Sequence, residues 1–553
     1  MISSARHARA VALLATAATA GPLAAQQRPN IVFLFSDDHA AHAVSAYRTL
    51  LQYGAHLPAT PGIDRLAREG MLFLNAFVTN SICGPSRATV LTGQYGHLNG
   101  VMINGQPLDH RAITFPELLQ DAGYVTVLFG KWHLGTEPEG FDHFEILAGQ
   151  GPYYNPVLYS GSEAEAEAEP RTKRTLDPDP VQYQGYTPDI ITRRALDWLD
   201  TREAEDAPFL LMLHYNAAHR WWDPGPDQLA LYLDTVLPEP ATLWDDHSGH
   251  TSSSRVQEMT IAHDLFARDL KLEPPSGLMP VQLEAWNATY AAENAALREA
   301  EPTGAALTRW RYQRFIKDYM RTVDALDDNV RRVLEHLDRA GLAGNTVVVY
   351  TSDQGFFLGD HGWFDKRWMY EESLRTPLIV RWPGTVPASS VNRDLVMNLD
   401  LAETLLDIGG ARVPATMQGH SLLPLLRGRS PEDWRDEIYY QYFEYPGWHM
   451  VRRQYGVRTH RFKLIHFYEV GEWELFDLAR DPNELVSVYD DPAYADVRAD
   501  LHARHSALRA EYGVPDVDPV PHTPFDPPPE LRRPAGLLPD TTRHNPQPPT
   551  PNP

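Results

Sequence analysis

The sequence predicts an α/β domain built on a large, mostly parallel sheet flanked by helices, with a smaller C-terminal antiparallel α+β subdomain. Three observations predict it. Continuous apolar runs, the mark of strands buried on both faces, recur along the chain and end in polar residues. Stretches with helical spacing lie between those runs. Past Asp436 the pattern changes to short aromatic runs.

The elements follow in order. Arg6, His7 and Arg9 precede an apolar run over 10–20 and then Pro22, Leu23, Ala24 and Ala25. This reads as a secretory signal peptide over 1–25, and it implies a periplasmic or secreted protein. The first strand is 31–35 (IVFLF), ending in Ser36, Asp37, Asp38 and His39. A helix is predicted from Thr60 to Gly70, with a capping Thr, Pro61 in the first turn and Ile63, Leu66 and Ala67 on one face. Strands follow at 125–129, ending in Gly130 to His133, and at 209–213, ending near His214. Val323, Leu326, Val330, Val333 and Leu337 repeat at helical spacing up to Gly341. Strands at 347–350, ending in Ser352, Asp353 and Gln354, and at 378–380 complete the domain, taken as 26–430.

Residues 160–180 alternate Glu and Ala and read as a solvated insertion. Residues 225–305, rich in Pro, Glu and Ala, read as a helical excursion over the sheet. From 431 to 513, runs such as 438–443, 455–458 and 462–467 predict a small antiparallel sheet with a closing helix. The Pro-crowded residues 514–553 read as a disordered tail.

The net charge of −24 argues against nucleic acid and anionic surfaces as partners, while leaving room for an anionic substrate in a local basic pocket. Beyond the signal segment no stretch is long and apolar enough to span a bilayer. The one cysteine, Cys83, has no partner for an internal disulfide, so stability has to come from the core. Polar residues at strand C-termini meet at one edge of an open α/β sheet, where such sheets bind ligands. Asp37, Asp38, Asp353 and Gln354 are hard oxygen donors there, suited to Ca²⁺ or Mg²⁺ and not to zinc; taken singly, each acidic pair is also an ordinary helix cap.

Cys83 stands in 83–87 (CGPSR), followed by 91–93 (LTG). This C-x-P-S-R-x-x-x-L-T-G pattern resembles the signature of the type I, formylglycine-dependent sulfatases. The resemblance runs from Pro29 to about Gly513 and is strongest at Asp37 and Asp38, at 83–93, at 130–135 (GKWHLG) and at 352–373. Within the family, 149–155 (GQGPYYN), 352–356 (SDQGF), 362–373 (GWFDKRWMYEES) and the stretch from 455–458 (YGVR) to 472–475 (EWEL) are most similar to bacterial N-acetylglucosamine-6-sulfatases.

The resemblance implies an alkaline-phosphatase-like fold and a sulfuric ester hydrolase. It implies that a formylglycine-generating enzyme oxidises Cys83 to formylglycine (3-oxoalanine), whose hydrate is the nucleophile. It places Asp37, Asp38, Asp353, Gln354 and the Cys83 oxygen around one divalent cation, Ca²⁺ with Mg²⁺ as the alternative. The family often carries Asn or His where this chain has Gln354, which still offers a carbonyl oxygen. Lys131 is placed on the sulfate, His133 beside the nucleophile and Arg87 on the hydrate. His219 and Lys366 assist the leaving group, with His214 as the rival histidine. Asp360 and His361 either reach sugar hydroxyls or shape their loop, and His449 is a weaker candidate for the substrate rim.

The implied substrate is a sulfated glycan, most specifically 6-O-sulfated N-acetylglucosamine of glycosaminoglycans or mucins. Three alternatives stay open from sequence. One is another carbohydrate sulfatase, such as an iduronate-2-sulfatase. Another is a phosphoester or phosphonate hydrolase of the same fold, which a second metal site would favour. The third is a glycan-binding protein whose Cys83 is never oxidised.

Overall fold

The computed structural model describes residues 28–161, 180–203 and 206–521. The expected signal segment 1–25, most of the 160–180 insertion and the tail past 521 lie outside the described residues.

Ten strands form the main sheet: β1 (Asn30–Ser36), β2 (Met71–Phe73), β3 (Val125–Lys131), β4 (His143–Leu147), β5 (Val157–Gly161), β6 (Val181–Gln182), β7 (Phe209–His214), β8 (Thr346–Ser352), β9 (Leu378–Arg381) and β10 (Ser390–Asn392). Their order is β10-β2-β9-β8-β1-β7-β3-β4-β5-β6. The five central strands, β8 to β4 in that order, run parallel; β9 and β5 flank them antiparallel. β1 is buried on both faces and splits its side chains by period two. Ile31, Phe33 and Phe35 enter one core, Val32 and Leu34 the other.

Helices cover both faces. On one lie α1 (Pro61–Glu69), α3 (Thr187–Leu199) and the C-terminal half of α5 (Gly304–Arg339); on the other lie α2 (Cys83–Thr92) and α6 (Asp400–Gly409). The predicted repeat from Val323 to Leu337 belongs to α5, which is 36 residues long. Its earlier turns place Tyr312, Phe315, Tyr319 and Met320 in a third core, shared with Trp222, Phe364 and the C-terminal sheet. One helix therefore ties the main sheet to the C-terminal part.

The expected excursion is helical only in α4 (Pro280–Ala300); residues 225–279 hold no helix longer than four residues. Pro226, Pro238, Pro240, Pro274 and Pro275 explain the difference, since each removes a donor and breaks a helix interior. The C-terminal sheet is antiparallel as expected. It consists of β11 (Glu437–Tyr442), β12 (Gln454–Thr459), β13 (Phe462–Phe467) and β14 (Glu472–Asp477), packed by α7 (Ala495–Glu511).

The tail departs from expectation over its first eight residues. Residues 514–521 are described and docked, with Val520 buried. Buried Arg453 holds them: its Nη1 donates to Asp518 Oδ2 at 2.6 Å and to the Val520 carbonyl at 2.7 Å, while Nε and Nη2 donate to the Tyr445 carbonyl. Composition suggested a solvated segment because the partner lies some 65 positions away in sequence. Arg453→Ala should cost about 1–3 kcal/mol, less than a fully buried pair because Asp518 is partly exposed. Limited proteolysis read by mass spectrometry should then cut within 514–521 before any other site, and chemical denaturation gives the energy.

Candidate active site at the C-terminal edge of the sheet

The parallel register builds the acidic cluster. Ser36 pairs with Ser352, so Asp37 and Asp353 leave adjacent strands side by side. The Asp353 amide donates to the Ser36 carbonyl at 3.3 Å, and the Asp37 amide to the Ala217 carbonyl beyond β7 at 3.0 Å. The Asp38 amide donates to Asp353 Oδ1 at 3.1 Å. Carboxylate oxygens of Asp37, Asp38 and Asp353 all lie within 4.8 Å of one another, fully buried.

The cysteine motif is one helix. α2 begins at Cys83, carries Pro85 in its first turn, where its missing N–H costs nothing, and stops at Gly93, whose φ of 61° is left-handed. Ser86 Oγ donates to the Asp353 carbonyl and accepts from Asn398 Nδ2, pinning the helix to the acidic loop. Cys83 Sγ lies 3.4 Å from Asp37 Oδ1 and 3.6 Å from Gln354 Nε2. Arg87, one turn on, donates from Nε to Asp353 Oδ2 and from Nη1 to the Lys131 carbonyl, both at 3.1 Å. Its buried Nη2 makes no bond.

Two lysines oppose the acids. Lys131 Nζ contacts Asp37 Oδ2, and Lys366 Nζ lies 2.6 Å from Asp38 Oδ2. Burial alone would raise Asp37, but Lys131, with His219, Arg87 and Lys366 around it, outweighs burial and holds the carboxyl well below the usual range. Asp38 is pushed up to about 7 by burial, which Lys366 does not offset against repulsion from Asp37 and Asp353. Burial and then the Asp37 charge push Asp353 up to about 6. Burial, then Asp37, push the Cys83 thiol up to about 12, so the unmodified side chain is a protonated, poor nucleophile at neutral pH.

The histidines separate. His219 Nε2 lies 3.7 Å from Asp38 Oδ2, and Nδ1 lies 2.6 Å from the Arg220 carbonyl. Burial lowers it to about 3 despite Asp37, so Nδ1–H donates to that carbonyl and Nε2 faces the site bare. His214 sits behind the site, Nδ1 at 3.0 Å from the Lys131 carbonyl and its ring edge-on to Phe35. His133 is half-buried, with Nε2 at 3.5 Å from Gln150 Nε2.

Asp360 and His361 fall elsewhere. Asp360 Oδ2 accepts from the Leu358 amide at 3.2 Å and lies 3.3 Å from His42 Nε2; His361 Nδ1 lies 3.0 Å from Asp245 Oδ2. Their partners share no residue with the Cys83 cluster, and both side chains are buried, the arrangement the loop-shaping alternative describes. Sequence reasoning missed the residues on either side of Lys366. Asp365 Oδ2 lies 3.2 Å from His449 Nε2, and Arg367 Nη1 donates to Glu444 Oε1 at 2.9 Å. Glu444 Oε2 in turn accepts from the Asn104 amide at 2.9 Å, and Asn104 Oδ1 accepts from the Gly84 amide at 3.0 Å. A chain of hydrogen bonds thus runs from the start of α2 to Arg367. The only sequence signal was the charge of both neighbours.

The residues present fit a hard divalent cation. Three buried carboxylates crowd together, two of them raised by burial and then by their neighbours' charge, and Gln354 Oε1 is buried with no hydrogen-bond partner. A cation would relieve the repulsion and satisfy that carbonyl oxygen.

Comparison with known proteins agrees with this geometry. A family model described as "Sulfatase" matches residues 29–411, and one described as "N-sulphoglucosamine sulphohydrolase, C-terminal" matches 359–511. The chain is 41% identical over 531 residues to a protein named N-acetylglucosamine-6-O-sulfatase from Bacteroides thetaiotaomicron, covering 92% of this chain and 91% of that one. It is 27% identical over 444 residues to the human N-acetylglucosamine-6-sulfatase, covering 76% and 68%. A solved structure described as a complex with its substrate D-glucosamine-2-N,6-O-disulfate superposes with a TM-score of 0.83 at 41% identity, covering 89% of this chain and all of that one. A phosphonate monoester hydrolase of Agrobacterium radiobacter shares the fold, with a TM-score of 0.63 at 22% identity over 88% and 96%. The chain belongs to the sulfatase family and is a sulfuric ester hydrolase.

Proposed function

We propose that the protein removes the 6-O-sulfate from N-acetylglucosamine or a related glucosamine at the end of a glycosaminoglycan or mucin glycan. The observation that carries this is the 41% identity across nearly the whole of both chains to the bacterial N-acetylglucosamine-6-O-sulfatase. The mature enzyme acts in the periplasm or outside the cell, after a formylglycine-generating enzyme has oxidised Cys83. Among the described residues no helix is long and apolar enough to cross a membrane.

In this reading Asp37, Asp38, Asp353 and Gln354 hold one Ca²⁺, which supplies Lewis-acid stabilisation, and oxidised Cys83 supplies a hydrate oxygen as nucleophile. Arg87 Nη2, buried and unbonded, is the donor available to that oxygen. Lys131 and Lys366 set positive charge where the sulfate oxygens sit. Lys366 stays protonated: burial disfavours its charge, but Asp38 together with Cys83, Asp365 and Asp37 outweighs burial. His219 is neutral at rest; the negative charge of a bound sulfate ester raises its pKa, and a proton taken up on Nε2 is then the one given to the leaving alcohol. Asp365, Arg367 and His449 replace Asp360 and His361 as the groups that read the sugar ring, since their cluster adjoins Lys366 and Asp38.

The wild type should therefore desulfate 6-sulfated N-acetylglucosamine at least tenfold faster than 6-sulfated galactose or 2-sulfated iduronate. Arg367→Ala should lower kcat/KM on that sugar about 10- to 100-fold, the worth of a charged hydrogen bond, while a small aryl sulfate keeps its rate. Faster turnover of iduronate 2-sulfate overturns the substrate assignment, and full activity of Cys83→Ala overturns the nucleophile.

His219→Ala should cost about 10²–10⁴-fold on the sugar sulfate and less than about tenfold on an aryl sulfate, whose leaving group needs no proton. His214→Ala should lower the melting temperature with no such selectivity. A selective loss at His214 reverses the assignment.

The cation has a pH signature. Asp38 and Asp353 are raised from an ordinary 3.8 to about 7 and about 6 in the folded chain. A group with a raised folded pKa stabilises fully below its unfolded value and ceases to do so as pH rises through the folded one. Cation-free protein thus loses stability between about pH 4 and 7, and Ca²⁺, which binds the ionised form, restores it. Scanning calorimetry should show a Ca²⁺-induced rise of a few degrees near pH 7.5 and a smaller one near pH 5. An equal or larger rise near pH 5 removes these carboxylates from the site.

A further inference from the structure

A second cluster of ligand atoms lies apart from Cys83. Asp245, His247 and His250, within six consecutive residues, each offer one atom, and the three atoms lie within 4.8 Å of one another. Asp245 Oδ2 is 3.4 Å from His247 Nδ1 and 3.2 Å from His250 Nε2. Tetrahedral ligands at about 2.0–2.1 Å from zinc are roughly 3.3 Å apart, so both edges match.

The surroundings hold these atoms in place. His250 Nδ1 lies 2.9 Å from Tyr370 Oη, whose hydroxyl donates to Glu474 Oε2 at 2.7 Å. An imidazole whose far nitrogen is fixed by an oriented acceptor is the usual partner arrangement of a metal-ligating histidine. Asp245 Oδ1 accepts from the His247 amide at 3.0 Å, and the His247 ring stacks on Trp363 at 4.8 Å and 13°. His247 Nδ1 is buried without a hydrogen bond, on a side chain only 9% exposed, and it faces the Asp245 carboxylate. Such a nitrogen costs about 1–3 kcal/mol unless something binds it.

We propose that Asp245, His247 and His250 bind one transition-metal ion, zinc by choice of ligands, at a structural site separate from the catalytic centre. Two imidazoles and a carboxylate favour zinc over calcium. The fourth position falls to water or to His361, whose Nδ1 lies 3.0 Å from the same Asp245 oxygen.

The ion would act as a clasp. Just beyond His250, Thr251 bonds Glu474 through its amide and hydroxyl at 2.8 and 2.9 Å, and Ser252 bonds Glu472 in the same way at 3.0 and 2.9 Å. Both acids belong to β14. On the other side His361 and Trp363 lead directly into Lys366. The site thus ties the C-terminal sheet to the segment that carries a catalytic lysine, and its readout is stability and metal content.

Protein produced with added Zn²⁺ and dialysed against metal-free buffer should carry one zinc per chain by elemental analysis. Cys83→Ala should keep that zinc, and the His247→Gln/His250→Gln double variant should lose it. Co²⁺ added to stripped wild type should give the intense visible bands of a tetrahedral site at one equivalent, and Zn²⁺ should raise its melting temperature by several degrees, with no rise in the double variant. Zinc lost from Cys83→Ala and kept by the double variant assigns the ion to the catalytic pocket and overturns the proposal. Should the double variant fail to fold, the cobalt titration of wild type decides: no binding, or an octahedral spectrum, overturns it equally.

Discussion

Everything at the catalytic edge depends on compensating three buried carboxylates. Isolated ionised acids at such depth are prohibitively costly, so charge has to be matched locally. Asp37, Asp38 and Asp353 arrive on β1 and β8 because those strands must pair for the sheet to close. The matching cations come from three other segments: Lys131 from the end of β3, Arg87 from α2 and Lys366 from the loop after β8. The match is incomplete, since two carboxyls remain raised well above their ordinary values. That uncompensated burial and repulsion is what suits the pocket, on the proposed function, to a divalent cation.

The same constraint decides what could be read from sequence. Strands buried on both faces announce themselves as apolar runs, and the topology of an open sheet then brings their polar ends together, so Asp37, Asp38, Lys131, Asp353 and Gln354 were legible. The cysteine motif was legible through its resemblance to a family signature; that Cys83 itself opens the helix, which runs to the left-handed Gly93, came only from the structure. Direction within a loop was not legible. Asp360, His361, Asp365 and Arg367 lie within eight residues, yet the first two turn into one buried cluster and the last two into another. Nothing in their identity fixes that turn, because Asp365 and Arg367 have φ of 80° and 92°, which sequence does not favour for such residues. Residues 514–521 failed for a different reason: their order comes from a distant partner, Arg453, 65 positions away from Asp518.

Left-handed backbone at non-glycine residues gathers near the pocket: Asp38, His133, Asp365, Arg367 and His449 all have positive φ. Such conformations cost of order 1–3 kcal/mol each and persist only where surrounding structure overdetermines them. Tyr319 shows how this is done: its hydroxyl donates to the Asp38 carbonyl and accepts from the Ala40 amide, bracketing the strained residue from α5. The two-core helix therefore does more than join the two sheets, since it fixes the backbone that aims the acids.

Cys83 is wholly inaccessible in the folded chain, inside a helix all of whose residues are buried. Any catalyst that oxidises it must reach the polypeptide earlier. The pairing that seals the pocket joins Ser36 to residues 315 positions further along, so it cannot form until most of the chain has left the ribosome. Pairings of such high sequence separation also close slowly. Topology thus keeps the cysteine open for a period set by translation and folding rates, and then shuts it. On the proposed function, in which Cys83 is oxidised during maturation, variants that speed closure of the central sheet would shorten that period and lower the fraction of chains that become active.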